Sequence, residues 1–67
     1  MIEITINGRS TEIETAMTIE QLLDTVEVPA NYLAVELNAE VVPREAYAQQ
    51  WVRAGDDVEV VTLVGGG

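Results

Sequence analysis

Asp56, Asp57 and Glu59 place three carboxylates within four positions, a density that suits a hard-cation site or a paired acid and base. No glycine-spaced calcium loop accompanies them. The plainer expectation is a solvated turn entering a strand, where aspartate is favoured for its hydrogen bonds to nearby backbone. Arg44 follows Pro43 and precedes Glu45. Its planar fork of donors could clamp a carboxylate or phosphate on a partner, or pair with adjacent glutamates, and the sequence leaves both readings open. Tyr47 and Trp51 are expected in the core, with an interface anchor as the alternative. The remaining candidate is the end of the chain, Leu63-Val64-Gly65-Gly66-Gly67, whose reactive group is a carboxylate.

The residue types that are missing narrow the chemistry further. Without cysteine there is no disulfide, thiolate metal site or cysteine nucleophile. Without histidine the commonest general base near neutral pH and the commonest metal ligand are gone. The only basic residues are Arg9, Arg44 and Arg53, so a lysine Schiff base is excluded. No glycine-rich loop joins a strand to a helix, which excludes a phosphate cradle. Twelve acidic residues against these three give a net charge of −9, which opposes nucleic acid and anionic membranes and calls for a partner with a basic face. No stretch approaches a membrane span and no signal segment opens the chain, so the expected compartment is the cytoplasm.

Three consecutive glycines after an apolar strand admit two readings. A frayed terminus is the plain one. Against it, the glycines follow the strand with no polar spacer. Four residues beyond Leu63 reach about 14 Å at most, and without Cβ atoms they fit a channel too narrow for other residues. Such a tail suits delivery of its carboxylate into another protein's active site. The expected organisation is one domain over residues 1–64 and a flexible tail over 65–67.

The elements that must carry this tail are legible from period and punctuation. Ile2, Ile4 and Ile6 alternate with Glu3, Thr5 and Asn7, the period of a half-buried strand. Asn7-Gly8 suits a type I′ turn, which pairs Ile6 with Arg9, Ile4 with Thr11 and Ile2 with Ile13. The second strand, Arg9 to Glu14, is polar enough to be an edge. Ile19, Leu22, Leu23 and Val26 then fall on one helical face, opened by a Thr18/Gln21 capping box with Met17 and Leu22 as a hydrophobic staple. Pro29 predicts a helix end between Val26 and Val28. Leu33, Val35 and Leu37 begin a second hairpin that turns at residues 38–40 into Val41 and Val42. Pro43 opens a short helix or 3-10 segment carrying Tyr47 and Trp51. Gly55 and the aspartates make a turn, and Val58 to Val64 form the last strand. A mixed α+β fold follows, with a four- to five-stranded sheet on one main helix.

The stretches "ING" at 6–8, "TIEQLL" at 18–23, "LAVELN" at 33–38, "VPRE" at 42–45 before Trp51, "GDDVEVV" at 55–61 and "VGGG" at 64–67 resemble, in order and spacing, the ubiquitin-like β-grasp sulfur carriers of the ThiS/MoaD-like family. The likeness spans essentially the whole chain and is stronger to the thiamine-biosynthesis branch than to the molybdopterin-synthase small subunits. Gly65 is an extra glycine beside the family's Gly66-Gly67 pair.

The resemblance implies a carrier rather than an enzyme. A ThiF-like adenylating enzyme would use ATP to activate the carboxylate of Gly67. A cysteine desulfurase or other sulfur donor would convert it to a thiocarboxylate, and thiazole synthase would take the sulfur. The carrier itself would hold no cofactor and no metal. Leu63, Val64, Gly65 and Gly66 would form the tail and partner-binding segment. Leu63 or Val61 is expected to dock a hydrophobic patch while carboxylates such as Glu59 meet basic residues; a core position for Leu63 stays open. The alternatives are a carrier for molybdopterin or another sulfur product, a ubiquitin-like protein modifier, and a plain interaction domain.

Overall fold

The computed structural model describes residues 1–26, 28 and 32–62. Strand β1 (Ile2–Ile6) and strand β2 (Arg9–Ile13) form the expected hairpin. Asn7 and Gly8 both take positive φ, 50° and 79°, which a two-residue type I′ turn demands at its two central positions. The register is the expected one: Ile6 opposite Arg9, Ile4 opposite Thr11, Ile2 opposite Ile13.

A two-residue strand, β3 (Met17–Thr18), leads directly into helix α1 (Ile19–Thr25). The capping box is present: the Thr18 hydroxyl accepts from the Gln21 amide at 3.2 Å, and the Gln21 side-chain oxygen accepts from the Thr18 amide at 3.1 Å. Two amide donors that a helix start would leave orphaned are thereby satisfied. Thr18→Ala is expected to cost about 1 kcal/mol, read as a fall of roughly 4–8 °C in the thermal midpoint. The helix closes one residue short of the expected range, with Val26 already extended as its C-cap. In that last turn the Thr25 hydroxyl donates to the Gln21 carbonyl, a local bond that competes with helix propagation. Pro29, the expected terminator, lies outside the described residues.

Strands β4 (Ala34–Leu37) and β5 (Glu40–Val42) form the second hairpin, through Asn38 and Ala39 at φ 51° and 71°. Positive φ is costly for an alanine, and the Asn38 side chain helps hold the turn. Its Nδ2 donates to Asp56 and its Oδ1 accepts from the Asp57 amide. A 3-10 turn over Arg44–Ala46 follows, then strand β6 (Trp51–Val52) and strand β7 (Asp57–Val61).

The five longer strands make one sheet in the order β2-β1-β7-β4-β5, with β7 parallel to β1 and antiparallel to β4. This is the expected β-grasp arrangement, and β2 is the expected edge. Ile4, Ile19, Leu22, Val35, Val52 and Val58 are fully buried in the core. A second, two-stranded sheet, β3 with β6, was not anticipated, and it corrects the expectation for one aromatic. Tyr47 is in the core at 8% exposure, but Trp51 is 43% exposed. Trp51 pairs with Thr18 across that small sheet. Strand alternation then turns Val52 inward and Trp51 out.

Candidate functional site

Strand β7 bears the tail, and its place at the centre of the sheet follows from its composition. Val58 and Val60 are buried on the helix side, as strict alternation with Asp57, Glu59 and Val61 requires. Hydrogen bonds continue beyond the end of β1: the Asn7 amide donates to Val58, and the Asn7 side-chain oxygen accepts from the Val60 amide at 2.7 Å. At the far end the Leu33 amide donates to the Val61 carbonyl at 2.7 Å. The last strand is therefore held on both sides almost to Thr62. The tail residues nominated from the sequence, Leu63, Val64, Gly65, Gly66 and Gly67, lie outside the described residues.

The sheet face opposite the helix can be assembled from the registers. Glu3 stands opposite Glu12, Thr5 opposite Asp57, Glu36 opposite Glu59, and Ala34 opposite Val61. Five carboxylates, Glu3, Glu12, Glu36, Asp57 and Glu59, thus share one face. Near the tail that face becomes apolar through Ala34, Val61 and the exposed Val41, the last of these opposite Glu36. Two of the cross-strand pairs, Glu3/Glu12 and Glu36/Glu59, set like charges directly across from each other, which is unfavourable within the sheet. Ser10 donates to the Glu3 carboxylate, which softens the first pair. A face with this charge and an apolar end beside the tail suits docking onto a basic, partly apolar surface.

The sequence singled out Asp57 and Glu59 on this face but missed Glu3, Glu12 and Glu36. The signal was available in "IEITI", "RSTEI" and "AVEL", each of which puts a glutamate on the phase opposite the buried residues. What a single strand's period does not show is that these phases meet on one side of the sheet.

The other nominated groups separate by their hydrogen bonds. Asp56 has Oδ1 occupied by Asn38 and Oδ2 by the Arg53 amide at 2.8 Å, which makes it a turn residue, as the plainer reading had it. Among the described residues no group of three or more carboxylates could hold a metal ion, and no helix is long and apolar enough to cross a membrane. Among the described residues Arg44 engages Tyr32 and no glutamate. Its guanidinium carbon lies 4.7 Å from the ring centroid, Nη1 donates to the Tyr32 hydroxyl at 3.2 Å, and Nη2 donates to the Tyr32 carbonyl at 3.3 Å. Tyr47 borders this cluster. Burial pushes its phenol above the ordinary value, as does the neighbouring Tyr32 side chain, with Arg44 opposing.

The profile of the ThiS family matches residues 3–67. The chain is 41% identical over 66 residues to a thiazole synthase of Paramagnetospirillum magneticum, a match that takes in 98% of this chain and 20% of that protein. It therefore spans about a fifth of that relative's length. It is 27% identical over 66 residues to the sulfur carrier protein ThiS of Escherichia coli, with 98% of this chain and 100% of that one covered. The crystal structure of a thiamine biosynthesis protein (ThiS) from Geobacter metallireducens superposes with a TM-score of 0.84 at 36% identity, covering 98% of this chain and 100% of that one.

Proposed function

The chain belongs to the ThiS family of sulfur carriers in thiamine biosynthesis, and from that premise we propose that the carboxyl group of Gly67 is its carrier group. The observation that carries the proposal is the family match running through the strand, β7, that leads into the glycines. A carboxylate with a reference pKa near 3.5 is ionised at neutral pH and ready to attack the α-phosphate of ATP. Pyrophosphate leaves, and the mixed anhydride that forms is the electrophile the free carboxylate is not. A persulfide sulfur displaces AMP. Cleavage of the sulfur–sulfur bond by a thiol then leaves the thiocarboxylate.

All acid, base and nucleotide chemistry in this cycle belongs to partners, which fits a chain without histidine, cysteine or lysine. A ThiF-like enzyme in the cytoplasm would supply the adenylation, and a cysteine desulfurase or another donor the persulfide. Thiazole synthase is the proposed acceptor. In support, a protein of that name contains a stretch 41% identical to this chain, as though carrier and acceptor had been joined. The outer sheet face is the proposed docking surface, with Val61 as its apolar contact and Glu59 and Glu36 meeting basic residues.

Incubation with ATP, a ThiF-like enzyme, a persulfide donor and a thiol is expected to raise the mass of the chain by one oxygen-for-sulfur exchange. Fragmentation should place the change on Gly67. An unchanged mass with a competent enzyme, or sulfur on another residue, would overturn the proposal.

A further inference from the structure

Arg44 does not reach the face just described. Among the described residues its guanidinium engages Tyr32, stacking over the ring and bonding both the hydroxyl and the main-chain carbonyl. Tyr47, buried in the core, closes its 3-10 turn by donating its amide to the Arg44 carbonyl at 3.1 Å. The residue after Tyr32 is Leu33, whose amide closes onto the Val61 carbonyl. Ala34, next along, is paired with Val61 in the ladder. A continuous path thus runs from the 3-10 turn through Tyr32 and Leu33 to the last residue of the strand that bears the tail.

We infer that Arg44 is a positioning residue for the end of β7: by clamping Tyr32 it holds Leu33 on Val61 and so fixes the last ladder position of the strand. The chemistry of the clamp is specific to arginine. A planar fork can stack on a ring while its nitrogens reach two acceptors, and a lysine ammonium cannot reproduce that geometry. The end of β7 matters on the carrier reading because a terminal group explores a volume that grows with the length of chain beyond its last fixed point. Fraying Leu33 and Ala34 from Val61 would move that fixed point back along the chain and release the apolar end of the docking face together.

The inference rests on the carrier reading for its consequence but not for its structural claim, and the test separates the two. Amide hydrogen exchange on the full chain is compared for the wild type, Arg44→Ala, Arg44→Lys and Tyr32→Phe. In Arg44→Ala the Leu33 amide is expected to exchange about tenfold faster, the size of losing one such clamp, while Val35 and Val58 keep their protection. Arg44→Lys should behave like Arg44→Ala. Tyr32→Phe, which keeps the ring and the carbonyl bond, should retain most of the protection. With the adenylating enzyme, Arg44→Ala should raise the KM for the carrier several-fold at unchanged kcat, because the reacting carboxylate is untouched. Wild-type exchange at Leu33 in both Arg44 variants, or an even rise at every amide, would overturn the inference. If the wild-type chain is not adenylated at all, the carrier reading fails and the exchange result still decides the clamp.

Discussion

Removal of Gly66 and Gly67 is expected to abolish the oxygen-for-sulfur mass increase and to leave the unfolding transition where it was. The two halves of this result have separate causes. The fully buried residues among those described run from Ile4 to Val58, and the final ladder pair of β7 is Val61 with Ala34. Two glycines have no side chain to pack, and stability should stay within about 0.5 kcal/mol. Function has no such margin. The truncated chain still ends in a carboxylate, now on Gly65, but one set back by about 7 Å of extended chain. A misplacement of about 1 Å already costs about 100-fold in a reaction that depends on near-attack geometry. Mass spectrometry after incubation with ATP, enzyme and sulfur donor, beside a thermal melt of the same sample, reads both. Sulfur uptake by the truncated chain would mean that the carrier group lies elsewhere. A lowered melting point would mean that the glycines belong to the fold.

The parts of this fold that were legible in the sequence are those set by contacts between near neighbours. Asn7-Gly8 dictated the turn, and the turn dictated the pairing of Ile2 with Ile13. Thr18 and Gln21 are three residues apart and announce the helix start by themselves. The missed features depend on contacts between distant segments. Strands β3 and β6 have two residues each, too few to show a period, so neither their pairing nor the outward turn of Trp51 was visible. The carboxylate face needs β1 beside β7, with Thr5 opposite Asp57, a parallel register that no local signal announces. Nothing in "NYLAVEL" points from Tyr32 to Arg44, so the clamp had no local signal. Of the candidate site, Glu59 was singled out from its position in the last strand, Glu36 and the clamp emerge only from the assembled sheet, and the glycines lie outside the described residues.

Neutralising Glu59 or Glu36 is expected to make the free domain more stable and the carrier worse. Glu36 and Glu59 stand directly opposite each other on the outer face, and relieving such a like-charge pair is worth about 0.2–1 kcal/mol. Glu59→Gln and Glu36→Gln should each raise the melting temperature by a few degrees. The double variant should gain less than the sum, because either substitution alone removes the shared repulsion. The same carboxylates give the chain its attraction for a basic partner, so the KM for adenylation should rise with each change. Glu59→Lys should raise it most, about tenfold at low ionic strength, within the range by which charge steering alters encounter rates. That rise should shrink towards 1 M salt, where the screening length falls from about 10 Å to about 3 Å. Opposite signs for stability and recognition mark a face kept for a partner at the expense of the fold. A KM that does not move, or a rise that salt leaves unchanged, would remove the carboxylates from the docking surface and leave Val61 and its apolar neighbours to account for recognition alone.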